Sequence, residues 1–318
     1  MKYFIVLIIL SIISFEIHAQ QSSLTNEENE NFVPNIAKEI GNIKLNLDTI
    51  SENYYMISGE GMAGNIGVFV GEKGVYMVDN QWTALAPRIK NIINSLSDKP
   101  IKLIINTHFH FDHIDGNMAY LKEGIPVIAH CNARLRMTQR QVLRGFGNVV
   151  QKPYPLEALP NLTFTDKIEY FDGDEIIELK YYPNAHTNGD VIVHFKEADI
   201  YHMGDIFVTY GIPYIDPNAG GDIYSMIETI DFIISNSQES SKFIPGHGTV
   251  SSKKDLIVYR KLLKSILENV IKSYKQGKNL DQTIVYTKSQ IEKIDGPINK
   301  DDFITLIYEM VDRHEKQK

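Results

Sequence analysis

The apolar positions of this chain fall in short blocks, some alternating as in strands and others spaced as on a helix face. The first block is different. Residues 3–15 (YFIVLIILSIISF) follow Lys2 as almost unbroken apolar sequence, and Glu16 ends the run. Such a run is too short for a membrane-spanning helix, which needs about 20 residues. A positive start followed by an apolar core predicts a signal peptide over residues 1–19, cut after Ala19 to leave Gln20 first. Residues 20–42 read as a flexible leader, polar and without periodicity over 20–34.

From residue 43 the pattern becomes that of packed elements. Residues 43–58 and 65–79 contain alternating or apolar runs, with GEKG at 71–74 as a turn between two strands. Residues 86–97 place apolar side chains at helical spacing, and 101–106 (IKLIIN) is a short apolar strand. The second half repeats the theme. It has two or three strands over 161–182 around a DGD turn at 172–174, then a hairpin from 190–195 and 199–203. A helix over 222–236 and a strand at 242–245 follow. GVFVGEKGVYMVD (67–79) and VIVHFKEADIYHMGD (191–205) are both hairpins that run into an aspartate. Two such halves suit a sandwich of two sheets with helices outside. Beyond 250 the spacing predicts helices over 253–276, 287–294 and 301–316. No linker sets this tail apart, so 43–318 reads as one domain. Residues 138–160 fit no period and carry Gly145, Gly147, Pro153, Pro155 and Pro160, which predicts a long loop, functional or disordered.

Composition narrows the class. With 43% hydrophobic and 23% charged residues in 318, the chain matches soluble globular proteins rather than disordered or fibrous ones. Its formal charge of −8, from 32 basic and 40 acidic residues, argues against a nucleic-acid partner. One cysteine permits no intramolecular disulfide and no Cys-rich zinc finger. It does not follow the signal peptide, so there is no lipoprotein anchor. The mature protein is expected to be periplasmic or secreted, free of the membrane, and to act on a small molecule.

The chemistry is concentrated at residues 107–117, THFHFDHIDGN, just beyond an apolar strand. His108, His110, Asp112 and His113 are four metal-type ligands within six residues, in a chain of ten histidines. In an extended segment residues two apart share a face, so His108 and His110 can grip one ion. Asp112 and His113 can turn toward a second as the chain bends into a helix. Imidazole and carboxylate suit zinc, and also manganese or iron.

HxHxDH after a strand resembles the metallo-β-lactamase superfamily. Three further motifs are similar to that family's, in its order. They are His186 in NAHTNGD, with Asn184-Ala185 where Pro-Gly is usual, Asp205 in HMGD, and His247 in PGHG. The resemblance covers roughly residues 43–250. It implies a four-layer αβ/βα sandwich. It further implies a first metal on His108, His110 and His186, a second on Asp112, His113 and His247, and a bridging Asp205. Two Zn2+ ions per chain would supply hydroxide at neutral pH, because zinc lowers the pKa of bound water to about 7. Asp112 would orient the nucleophile. The function implied is hydrolysis of an acyl bond in a lactone, ester, thioester or β-lactam. Two alternatives stand: a mononuclear iron enzyme like the persulfide dioxygenases, and a non-catalytic binding protein on the same scaffold.

Other polar residues carry less. Cys131 lies before the place of the family's cysteine ligand and reads as a small packed residue. His130, His194 and His202 fit strand positions and read as structural. Asp79 is placed to orient a ligand histidine. Trp82, Tyr210 and Tyr214 follow strand ends, as pocket-lining or packing residues. The loops 138–160 and 207–221 are expected to select the substrate. Loop 207–221 holds Asp216 and no Lys or Arg, which disfavours a phosphodiester.

Overall fold

The computed structural model describes residues 40–318, so the expected signal peptide and most of the leader lie outside the described residues. The first half builds strands β1 (Leu45–Ser51), β2 (Tyr54–Gly59), β3 (Ile66–Val70) and β4 (Val75–Val78), then helix α1 (Ala86–Leu96) and strand β5 (Ile101–Ile105). Short helices α2 (Phe111–Ile114) and α3 (Asn117–Leu121) lead to β6 (Val127–His130) and α4 (Cys131–Met137). Next come β7 (Gln141–Leu143), β8 (Val149–Gln151) and β9 (Leu162–Phe164). The second half runs β10 (Lys167–Asp172), β11 (Glu175–Tyr182), β12 (Asp190–Phe195), β13 (Ile200–His202), α5 (Ile223–Asn236), β14 (Lys242–Ile244) and β15 (Ser251–Ser252). Helices α6 (Lys253–Lys275), α7 (Leu280–Ile291) and α8 (Lys300–Lys316) follow.

Two large sheets result, in the orders β1-β2-β3-β4-β5-β6-β9 and β10-β11-β12-β13-β14-β15. Their central strands read as continuous apolar runs because both faces are covered. In β4, Tyr76 and Val78 join Leu103, Ile105, Leu179, Val193 and Ile244 in the core between the sheets. Val75 and Met77 point the other way, into the larger core under the helices. Ile89 and Ile93 of α1, and Met226, Ile230 and Ile233 of α5, fill that outer core. The architecture is therefore the four-layer αβ/βα sandwich, with helices outside both sheets.

The two hairpins that run into aspartates are structurally equivalent. β3–β4 and β12–β13 are antiparallel pairs, and each second strand pairs in parallel with the strand beyond the next large helix, β5 or β14. The chain after β4, β5, β13 and β14 carries Asp79, His108, Asp205 and His247 respectively.

Two expectations need correction. Residues 138–160 are not a structureless loop: β7 and β8 form a two-stranded hairpin, with Leu143 and Val149 buried in the core. The penultimate helix spans Leu280–Ile291 rather than 287–294, because Asn279 and Gln282 form a capping box that starts it earlier. The strands over 161–182 divide between sheets: β9 pairs in parallel with β6, whereas β10 and β11 open the second sheet. The DGD turn joins β10 to β11 as expected. Among the described residues no helix is long and apolar enough to cross a membrane.

Candidate metal centre

All seven residues singled out by their motifs meet at one end of the sandwich. Three overlapping groups can hold a metal ion: His108, His110 and His186; His108, His113 and Asp205; and Asp112, His113 and His247. Within each, the ligand atoms lie within 4.8 Å of one another. His186 Nε2 is 2.9 Å from His110 Nδ1 and 3.7 Å from Asp205 Oδ2. On the other side, His113 Nε2 lies 3.2 Å from Asp205 Oδ1 and 3.3 Å from His247 Nε2. His247 Nε2 is 3.0 Å from Asp112 Oδ2. Asp205 thus faces both groups. His108 Nε2 is buried and has no hydrogen-bond partner, although the second ring nitrogen is engaged. A buried imidazole nitrogen aimed at other donors is stable if a cation fills the space.

Local structure explains the convergence. His110 is the extended residue before α2, so His108 and His110 project from the strand end while Asp112 and His113 sit on the first helical turn. Asp79 and Gln81 adopt left-handed φ of 63° and 56°, turning the chain sharply after β4. That turn brings the Asp79 carboxylate under the cluster. It accepts hydrogen bonds from Thr107 N–H and Thr107 Oγ1 at 2.8 Å each, and from His113 Nδ1 at 2.8 Å. His113 therefore carries its proton on Nδ1 and directs Nε2 at the cluster. Glycines permit the close approach: a Cβ at Gly64 would stand 2.4 Å from the His113 ring, and one at Gly246 1.9 Å from Asp205 Oδ1.

Three residues beyond the motif ligands complete the site. Asp216 Oδ2 lies 3.1 Å from His110 Nε2, which fixes the proton there and leaves Nδ1 for the cluster. Its Oδ1 accepts the amides of Asn218 and Ala219. Thr107 Oγ1 sits 3.0 Å from His108 Nδ1. Asp190 accepts the amides of His186 and Thr187 and the Thr187 hydroxyl, which ties down the loop that carries His186. Burial pushes Asp190 up to about 7 against these donors. His186 itself directs Nδ1 at the Tyr214 carbonyl, 2.9 Å away. Of the three, only Asp190 left a sequence signal, four residues after His186 in HTNGD. Asp216 faces a histidine 106 residues away, a pairing that spacing does not reveal.

Protonation suits cation binding. Burial lowers His108 well below its ordinary value and brings His186 to about 4, so both are neutral donors. Burial opposes charge on His113 and Asp205 too. There the carboxylates Asp205, Asp112 and Asp79 win and hold His113 well above its usual range. His113 and His247 in turn keep Asp205 well below the carboxylate range.

The remaining candidates divide. Trp82 does not line the site: it is fully buried, 5.2 Å from Phe111, as packing. Tyr214 packs against His110 and His186, with ring centroids 5.8 and 6.1 Å away. Tyr210 stands 5.8 Å from His247. Cys131 is half-buried at the start of α4, with Sγ 3.9 Å from His130 Nε2, and belongs to none of the metal-capable groups. His130, His194 and His202 lie in strands β6, β12 and β13, also outside those groups.

Comparison with known proteins agrees with this geometry. Residues 59–252 match the model of the metallo-beta-lactamase superfamily. A "Probable metallo-hydrolase" of Methanocaldococcus jannaschii is 25% identical over 204 residues, covering 62% of this chain and 93% of that protein. The hydroxyacylglutathione hydrolase of Pelagibacter ubique is 26% identical over 162 residues, covering 50% of this chain and 57% of that protein. Among solved structures, a metallo-beta-lactamase from Pontibacter korlensis superposes with a TM-score of 0.58 at 18% identity, covering 70% of this chain and 99% of the other. The DIM-1 metallo-beta-lactamase gives 0.57 at 17% identity, with the same coverage.

Proposed function

The chain belongs to the metallo-beta-lactamase superfamily, and on that premise we propose that this metallo-hydrolase uses two zinc ions to cleave an acyl bond in a small molecule. The observation that carries the reading is the position of Asp205. It faces His108, His110 and His186 on one side and Asp112, His113 and His247 on the other. In this reading His108, His110 and His186 would hold one ion, Asp112, His113 and His247 the other, and Asp205 would serve both. Manganese or iron would fit the same oxygen and nitrogen donors. When bound, zinc supplies Lewis acidity and a water acidic enough to attack near pH 7.

The chain's own residues do the rest. Asp79 and Asp216 fix the tautomers of His113 and His110, so each presents a lone pair to the cluster. Asp112 turns Oδ2 toward His247, and its carboxylate would orient the attacking water. Asp205 offsets positive charge between the two trios.

The substrate class follows from charge. Loop 207–221 carries no Lys or Arg. Arg136 and Arg144 approach it from neighbouring elements, but Arg144 is paired with Glu309 and Arg136 is turned to carbonyl and amide oxygens. Neutral acyl compounds therefore suit the site better than anionic phosphodiesters. The similarity to a hydroxyacylglutathione hydrolase supports acyl chemistry and brings thioesters into the set with lactones, esters and β-lactams. The test is kcat/KM for each class with zinc-loaded protein and a His110→Ala control. The best acyl substrate is expected to lead, and its turnover to vanish in the control. A phosphodiester preferred by tenfold, about 1.4 kcal/mol of transition-state preference, contradicts the charge argument.

A further inference from the structure

The β7–β8 hairpin stands beside the cluster and is tied to it from both strands. Gln151 donates from Nε2 to the carbonyl of Phe109, between His108 and His110, at 3.0 Å. Asn218 donates from Nδ2 to the Val142 carbonyl at 2.9 Å, two residues beyond Asp216. The tip is tight: Gly145, Gly147 and Asn148 have φ of 81°, 62° and 55°. It presents Phe146, half-buried, 5.7 Å from the ring of Tyr214. Tyr214 in turn lies against His110 and His186. An aromatic wall thus runs from the hairpin tip to the trio around His110.

Two strands of three residues are marginal alone. This pair is held from outside by the last helix. Arg144 makes two bonds to Glu309 of α8, at 2.6 and 2.5 Å. A Cβ at Gly145 would touch Leu306 of α8 at 3.0 Å. Where Phe146 sits therefore depends on a helix that contributes nothing to the metal-capable groups.

We propose that Phe146, seated on Tyr214 and held there by the Arg144–Glu309 clasp, is the specificity-determining wall of the site. It selects compounds with a flat apolar group on the acyl side, the side whose carbonyl the cluster must hold. This deepens, and rests on, the acyl-hydrolase reading above. An aromatic pair adds affinity beyond the area it buries, and the preference expected of it is about tenfold, equivalent to about 1.4 kcal/mol.

Phenylacetate and acetate report on the wall without turnover. Calorimetric binding to zinc-loaded protein is expected to show phenylacetate favoured about tenfold. That ratio should fall to about twofold or less in Phe146→Ala, and partway in Glu309→Gln, a surface change that leaves the core intact. The kcat/KM ratio for phenylacetyl over acetyl esters of one alcohol should fall in the same order. If the binding ratio is the same in wild type, Phe146→Ala and Glu309→Gln, the proposal is overturned. If no ester is hydrolysed yet the binding preference is present and lost with Phe146, the wall stands and the acyl-hydrolase reading fails.

Discussion

His110 takes its orientation from a carboxylate outside its own motif. Asp216 lies on a loop 106 residues away and fixes the proton of His110 on Nε2. Such orienting partners typically contribute 10–100-fold in metal affinity. Asp216→Ala is therefore expected to lose metal about 10–100-fold more readily in a chelator titration, while Asp216→Asn, which can still accept the bond, retains most of the affinity. Unchanged affinity in Asp216→Ala would deny it this role. Gly246 makes a steric counterpart. A methyl there would stand 1.9 Å from Asp205 Oδ1. Gly246→Ala should lower metal occupancy with the circular dichroism spectrum preserved, and full occupancy would show that the loop simply moves. At this scale the sequence was informative wherever a residue type announces its chemistry: the seven His and Asp positions were all readable, and the structure brings them together. Thr107, Asp190 and Asp216 were harder, because threonine and aspartate are ordinary in turns and acquire a role only from what folds against them.

Elements were legible where their period was undisturbed. Strands β4, β5 and β12 read as apolar runs because both faces are covered, and α5 and α6 because one stripe is. The reading failed where structure is set by partners. β7 and β8 are too short to show a period and are held by Gln151, Asn218 and the Arg144–Glu309 pair. Helix α7 begins early because Asn279 caps it, and Gln282 bonds back to the Asn279 amide. Asn279→Ala removes the oxygen that accepts the Gln282 amide. It is expected to lower stability by about 1 kcal/mol in urea unfolding at pH 7, with hydrolysis unaffected. A loss no larger than that of an exposed control such as Glu239→Ala would mean that the helix start is not set by this cap.

Across the whole molecule, the repeat of hairpin, helix and parallel strand explains why the proposed ligands gather at one end: both halves deliver residues from equivalent strand ends. The same burial that builds the cluster is expected to make the protein acid-sensitive. His202 is fully buried; it accepts from the Gly204 amide at Nδ1 and donates from Nε2 to the Asn65 carbonyl. Burial lowers it to about 4 from an ordinary 6.5. Between those values the unfolded chain binds the proton and the folded chain does not. This stability is present above about pH 6.5 and lost as pH falls through 4, a span of about 3 kcal/mol. Urea unfolding of metal-stripped protein at pH 7 and 4.5 should show a loss in wild type that is about 2 kcal/mol smaller in His202→Gln. Equal losses would place the acid-sensitive group elsewhere. The proposed export rests on residues 1–19 alone. Mass spectrometry of the exported protein is expected to find Gln20 first, and retention of residues 1–19 would refute it.

The central claim is a two-ion site bridged by Asp205. Metal content of the purified protein, measured by inductively coupled plasma mass spectrometry alongside Asp205→Ala, tests it most directly. Two zinc ions per chain are expected in wild type. The variant should fall to one or fewer and lose hydrolysis, because the remaining trios would hold two cations with no carboxylate between them. A single iron per chain in wild type, or a fully loaded and active Asp205→Ala, would contradict the account.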